Sequence, residues 1–462
     1  MAREVNERRI ALDILTEMGK SDSYQKSAVK LALNKYDFLE AKQKAFIKYL
    51  AEGTIERQIT LDYVIGQFSK TPIKKMAKPI LYILRMGTFQ ILYMDSVPDS
   101  AAVNEAVKLT AKIHFVGLKG FVNGVLRNIS RNKDEIAWPD PGKSKESKIQ
   151  FLSVRFAEPL WLSKMFLENY GFKKTEEIFR FFLKPRPVTV RFSCRFSNEQ
   201  LREILLKMKR ANNGTIVMKP SPLLHYAMNL YHTDNITYLP GFDEGAFMVQ
   251  DVSSMLVTEV AGLKKGDTVI DVCAAPGGKS LHAADVLKDT GKVISRDISE
   301  NKCIIIRENV MRMGLNNVVV EDYDAEKHDP SLENKADVLY CDLPCSGLGI
   351  IGRKPDIKMN TDLNSIMNLQ TMQRKILSSV WNYVKPGGTL IYSTCTMTKQ
   401  ENQENYKWIL ENLPFEAVSI EDRLPNQMKT IDTVGAGYIQ LIPGEFDTDG
   451  FFIAKFRRKE NS

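Results

Sequence analysis

Asp271-Val272-Cys273-Ala274-Ala275-Pro276-Gly277-Gly278-Lys279-Ser280 decides how the second half of this chain folds. The strand-like run Thr268–Val272 leads into it; small residues and two glycines follow, then a helical pattern. Strand, glycine turn and helix in that order bring backbone close to a bound ligand. Two phosphate-binding loops use similar physics, and neither fits. A Walker A loop needs GxxxxGK[ST], and Cys273 stands at its first glycine position. A dinucleotide GxGxxG is not matched either. The stretch predicts a nucleotide-like ligand at the first strand of an α/β sheet.

Outward from this stretch, strands and helices alternate as in a parallel, doubly wound, Rossmann-like sheet. Thr268–Val272, Lys292–Arg296, Asn317–Glu321, Ala336–Cys341 and Thr389–Ser393 read as its strands, within a domain of residues 239–462. Residues 148–238 are mixed: Val188–Phe192 and Gly214–Met218 read as strands and Asn198–Arg210 as a basic helix, which predicts a small α+β domain. Before them, WPDPGKSKES (138–147) is a stretch that neither helix nor strand tolerates well, read as a linker. Residues 1–136 read as an all-α domain, with helices near Val5–Met18, Ala41–Thr54, Lys74–Met94, Ser100–Ile113 and Leu118–Ser130. Ile80, Leu84 and Ile91 share one helix face, and Gly87 between them allows a close helix approach.

Charge is unevenly distributed. Residues 1–140 carry 22 Lys and Arg against 16 Asp and Glu, residues 141–240 carry 17 against 8, and residues 241–462 carry 25 against 32. The positive first half suits a polyanion, whose phosphates such a surface neutralises. The N-terminus has Arg3, Glu4, Glu7, Arg8 and Arg9 with no apolar run behind them, so no signal peptide is expected. The best membrane-span candidate, Pro79–Leu84, stops at Arg85, and a cytoplasmic protein is expected. The cysteines form no CxxC pair and make no metal-ligand spacing with the histidines, so no metal is expected.

Acidic residues at successive strand ends narrow the ligand. Asp297 ends the second strand, where a carboxylate can accept from two ribose hydroxyls; Asp324 follows the third and Asp342 the fourth. Three carboxylates around one crevice suit a ribose, an exocyclic amine and a sulfonium, and they repel a pyrophosphate. That favours S-adenosylmethionine.

Two cysteine motifs carry the chemistry. Asp342-Leu343-Pro344-Cys345-Ser346-Gly347 ends the fourth strand and Ser393-Thr394-Cys395-Thr396 the fifth. Carbon 5 of cytosine is a poor nucleophile until a thiolate adds to carbon 6, and the carbon 5 proton must then leave before the thiolate can. Two cysteines and one aspartate (Asp342) supply a nucleophile, a base and an acid near ring nitrogen 3. Cys194, Cys303 and Cys341 read as buried, inert cysteines, and Cys273 as a small residue lining its loop.

DVCAAPGGKS, DLPCSGLG followed by RKPDIK, STCT followed by Glu401-Asn402, and DGFF at 449–452 together resemble the NOL1/NOP2/Sun family of RNA cytosine-C5 methyltransferases, over residues 180–458. The resemblance implies Cys395 as nucleophile and Cys345 as the group assisting release. It also implies adenosylmethionine contacts from Ala274, Ala275, Pro276, Gly277, Gly278 and Lys279, and from Asp297, Asp324 and Asp342. ILRMGTFQILYMDSVP, AAVNEAVKLTAK and GFVNGVLRNI make the first domain similar to the RNA-binding NusB fold. Such a domain joined to such a methyltransferase implies 16S rRNA as substrate and a monomer. Transfer RNA is the alternative target. A non-catalytic, antitermination-type RNA-binding protein is the alternative of a different class.

Overall fold

The computed structural model describes residues 6–18, 29, 32, 33, 35, 36, 38–211, 214–233 and 235–460; Arg3, Glu4 and Val5 lie outside these. The chain divides into two compact units, Met1–Lys184 with Ile351–Thr361, and Pro185–Ile350 with Asp362–Ser462. Among the described residues no helix is long and apolar enough to cross a membrane.

In the first unit the helices are α1 (Glu7–Met18), α2 (Ala41–Glu56), α3 (Gln58–Phe68), α4 (Lys78–Tyr93), α5 (Asp99–Lys112), α6 (Lys119–Arg131), α7 (Lys145–Phe156) and α8 (Leu160–Phe182). Leu15, Leu50, Leu84 and Leu126 are among the fully buried side chains of their core. Gly87 does what its position in α4 suggests: a Cβ there would lie 2.6 Å from Leu126 Cδ1 on α6. The proline-rich stretch at 138–147 interrupts the helices without separating units. Arg155 of α7 covers the Trp138 ring at 4.7 Å, and Thr60 of α3 donates to the Val154 carbonyl at 2.6 Å. The boundary falls instead between Lys184 and Pro185, so residues 148–238 do not form one body. Its first part is helical: α8 is broken by a kink at Gly171, whose φ 73° and ψ 171° are not helical, and Phe166 before the kink is buried against Phe179, which packs on Phe182. A short α13 (Ile357–Asn360) belongs to this unit, and the buried Lys358 donates to the buried Glu158 at 3.1 Å.

The second unit holds two sheets. An antiparallel sheet has the order β2 (Val217–Pro220), β3 (Ala227–Tyr231), β1 (Val188–Phe192), β4 (Phe247–Val249), with α9 at Asn198–Arg210. The larger sheet has the order β10 (Phe415–Ala417), β12 (Phe451–Arg458), β9 (Val384–Thr394), β8 (Ala336–Asp342), β5 (Thr268–Asp271), β6 (Lys292–Asp297), β7 (Val318–Asp322), with β11 (Tyr438–Leu441) paired to β12. β5 to β9 are parallel, while β10, β11 and β12 are antiparallel additions. Its helices are α10 (Val252–Ala261), α11 (Gly278–Leu287), α12 (Glu300–Met313), α14 (Leu363–Val380) and α15 (Gln403–Asn412). Every parallel strand expected from the sequence is present within a residue or two of its expected end. Strand order runs outward in both directions from β5 and β8, and ligands of open α/β sheets lie in the crevice at such a reversal.

Candidate functional site

The turn after β5 is held largely by its own backbone. Ala274 N–H donates to the Arg296 carbonyl at 2.8 Å and Gly277 N–H to the Ala274 carbonyl at 2.7 Å; the Ala275–Pro276 peptide is cis. Gly277 has φ +102°, so the backbone favours glycine there, and a Cβ on it would also displace Leu281 Cδ1. α11 then starts at Gly278. Asp271, at the end of β5, is buried; it accepts the Ser280 hydroxyl at 2.6 Å, and burial pushes its carboxyl up to about 7.

The three strand-end carboxylates meet around one cleft of about 460 Å³, with Cys273, Cys345 and Cys395 also in its wall and Leu343 and Ile376 on an apolar side. That volume is within the range of small-ligand sites. Asp297, closing β6, accepts from Ala275 N–H and from Lys302 Nζ, each at 3.1 Å. Asp324 accepts from Glu326 N–H at 3.0 Å. Asp342, closing β8, accepts from Lys279 Nζ at 2.5 Å and from the Ser393 hydroxyl at 2.7 Å. Burial works against the Lys279 charge, but the Asp342 carboxylate outweighs it and holds the ammonium above its ordinary value. Of the glycine-rich loop, Cys273 and Ala275 form part of the cleft wall. Ala274, Pro276, Gly277 and Gly278 shape the turn, and Lys279 spends its charge on Asp342.

The cysteine loops follow β8 and β9, which are neighbours in the sheet, and this adjacency brings Cys345 Sγ to 3.3 Å from Cys395 Sγ. The hydrogen bond with Cys395 and then burial push the Cys345 thiol well above its ordinary value. Gly349 N–H donates to the Cys395 carbonyl at 3.0 Å, and Gly450 N–H to the Gly349 carbonyl at 2.9 Å. A Cβ on Gly349 would strike the Gly450 carbonyl. DGFF therefore backs the Cys345 loop with bare backbone. The carboxylate of Glu401, which sequence reasoning noted only as part of a motif, is fully buried between the two cysteine loops. Its signal was the cluster Thr394, Thr396, Thr398 and Glu401: polar side chains that need partners once the strand end is covered.

Cys303 and Cys341 are buried as expected. Cys194 is not. It is exposed, although its sulfur donates to the Asp285 carbonyl at 2.9 Å. Partial burial of that sulfur and the Asp285 carboxylate push the thiol up to about 11, which leaves it inert for a different reason.

Residues 259–457 match the family model "16S rRNA methyltransferase RsmB/F", and residues 5–131 match the NusB family. The chain is 36% identical over 465 residues to a "Probable ribosomal RNA small subunit methyltransferase B" of Bacillus subtilis (strain 168), covering 99% of this chain and all of that one. It is 30% identical over 418 residues to the ribosomal RNA small subunit methyltransferase B of Salmonella paratyphi B, covering 90% of this chain and 91% of that one. Among solved structures, PH0851 shares the fold with a TM-score of 0.78 at 24% identity, over 98% of this chain and 99% of its own. A "Methyltransferase Homolog Protein" from Pyrococcus horikoshii has a TM-score of 0.56 at 26% identity, over 68% of this chain and all of its own. With a NusB-type helical domain ahead of a doubly wound sheet, and a relative matching from end to end, the chain belongs to the ribosomal RNA small subunit methyltransferase B family.

Proposed function

We propose that this protein methylates carbon 5 of a cytosine in 16S rRNA, with S-adenosylmethionine as methyl donor and Cys395 as covalent nucleophile. The observation that carries this reading is the pair of sulfurs 3.3 Å apart at neighbouring strand ends, on the same cleft as Asp297, Asp324 and Asp342. One thiol can add to carbon 6 while the other faces the same ring.

The cleft suits the cofactor by its donor set. Asp297 offers a buried carboxylate to a ribose, Asp324 an acceptor to an amine, and the acidic rim suits a sulfonium. Cys273 and Ala275 provide a wall of the cleft on a turn shaped by Ala274, Pro276, Gly277 and Gly278, and Lys279 braces Asp342. When bound, the cofactor supplies an electrophilic methyl.

The protein's own groups do the rest. Cys395 Sγ forms a bond to carbon 6, and carbon 5 gains the electron density it needs to take the methyl. Asp342 is the acid beside ring nitrogen 3, delivering there the proton it receives from the Lys279 ammonium, and Ser393 holds it in place. Cys345 is kept a thiol chiefly by its contact with Cys395. Once Cys395 is bonded to carbon it no longer carries a charge, so Cys345 ionises more easily and can take the carbon 5 proton. Expulsion of Cys395 then restores the ring.

Bisulfite sequencing of rRNA and tRNA from a deletion strain tests this. One 16S cytosine should lose its protection. Loss confined to tRNA would favour the tRNA alternative, and no loss in either would overturn the reading.

A further inference from the structure

The two cysteine loops leave different strands, and Cys345 and Cys395 stand 50 positions apart, so their sulfurs stay in register only if something ties the loops together. Backbone supplies one tie, Gly349 to Cys395. Glu401 supplies a denser one. Its side chain is fully buried, and both carboxylate oxygens are engaged. Oε1 accepts Ser346 N–H at 2.8 Å and the Gln373 amide at 3.2 Å. Oε2 accepts the Ser346 hydroxyl at 2.5 Å and the Thr398 hydroxyl at 2.7 Å. Ser346 is the residue after Cys345, and Thr398 lies three beyond Cys395. A second link crosses the same gap, with Ser346 Oγ 2.6 Å from Thr396 Oγ1.

A buried carboxylate is costly unless donors surround it, and hydrogen bonds to a charged acceptor are stronger than neutral ones. Here the donors come from α14 and from both cysteine loops, so the favourable energy is directed across the gap between the loops. Glu401 does not itself cap α15, whose N-cap Asn402 makes no side-chain cap. Asn402 instead accepts from Thr394 at 2.6 Å and donates to the Thr396 carbonyl at 3.0 Å, fixing the Cys395 loop from behind.

We propose that Glu401 is a positioning residue that locks the Cys345 loop to the Cys395 loop and so sets the spacing of the two sulfurs. What the sulfurs do with that spacing rests on the proposed function; the lock itself does not.

The test reads spacing directly, on the full chain and without RNA. Diamide oxidises two neighbouring thiols to a disulfide and takes up the two hydrogens released. Peptide mapping by mass spectrometry then follows the Cys345–Cys395 link over time. Glu401→Gln keeps the volume but puts an amide donor where an oxygen received donors. Its cross-linking should be slower than wild type by about tenfold or more, the effect of losing one hydrogen bond to a charged group. Adenosylmethionine affinity by calorimetry should stay within about twofold, because the Asp297 side of the cleft is a separate set of contacts. A merely stabilising residue would lower the melting temperature and leave the cross-linking rate of the folded protein alone. An unchanged rate in folded Glu401→Gln overturns the lock. If that variant does not fold, Ser346→Ala decides: cross-linking slower by about threefold or more supports the lock, and an unchanged rate overturns it. Absent RNA methylation by the wild-type chain, alongside slowed cross-linking in Glu401→Gln, would count against the proposed function and leave the lock standing.

Discussion

The turn after β5 is held through its backbone N–H groups, whereas the turns after β8 and β9 are tied mainly by side chains reaching across to one another. In the first, Ala274, Ala275 and Gly277 use their N–H groups, and the residues are too small to brace anything. In the second, Ser346, Thr396, Thr398, Gln373 and Glu401 form a closed polar web beneath the cysteines. The contrast follows from what each turn presents. A turn that lays its backbone along a ligand must keep side chains out of the way. A turn that aims a sulfur must fix one side chain, and here side chains supply most of the ties, with one backbone bond from Gly349 to Cys395 beside them. Additions should therefore break the first turn and deletions the second.

The largest effect expected is at the second turn. Cys395→Ala should reduce methyl transfer to background and form no covalent RNA complex. Cys345→Ala should still attack but stall at proton removal, leaving a protein–RNA adduct that survives a denaturing gel. The opposite pattern, with the adduct in Cys395→Ala, would exchange the two roles. Next comes an addition at the first turn. Gly277→Ala places a Cβ against Leu281 at a φ of +102° and should cost about 2–4 kcal/mol of stability, read by urea denaturation. A neutral result would mean that the turn can relax around a side chain. Asp297→Ala removes the proposed acceptor for the ribose and should weaken adenosylmethionine binding by about 1.5–3 kcal/mol. Unchanged affinity in a calorimetric titration would remove Asp297 from the site.

The same contrast explains what could be read from the sequence. The backbone-held turn was legible because glycine and small residues at fixed spacing have few other uses, and Asp297, Asp324 and Asp342 could be placed by counting strands from it. Cys345 and Cys395 were legible because each ends a strand, and parallel strands put their ends on one edge. The Glu401 web was not legible as a web, since Thr398 is near in sequence but Gln373 and Ser346 lie 28 and 55 positions away and pair only once the sheet is assembled. The antiparallel β3, β4 and β12 also escaped. They are short or follow irregular loops, and their partners rather than their own patterns make them strands. In the first unit, the aromatic run of α8 reads as mixed by propensity. It is helical on both sides of the Gly171 kink because Phe166 before it and Phe179 and Phe182 after it pack into a common core.

Two buried carboxylates give the finest comparison. Glu401 accepts from four donors, while Asp271 has the Ser280 hydroxyl on one oxygen and, beyond it, only a lesser contribution from the Cys273 backbone. Burial consequently raises the Asp271 carboxyl from 3.8 to about 7. The sign of its effect on stability follows from proton counting. Between about pH 4 and 7 the folded chain holds this proton and the unfolded chain does not, so the Asp271 contribution to stability falls as pH rises through that window and levels off above it. The decline cannot exceed about 1.4 kcal/mol per pH unit for a single group. Asp271→Asn keeps the size and an acceptor for Ser280 but cannot ionise. Urea midpoints of wild type and variant at pH 5, 6 and 7 isolate this one group, because the other titrations are common to both. The variant should gain on wild type as pH rises. A difference that stays constant across the three pH values would mean that Asp271 is already ionised in the fold, and that the backbone-held turn tolerates a buried charge with a single side-chain donor.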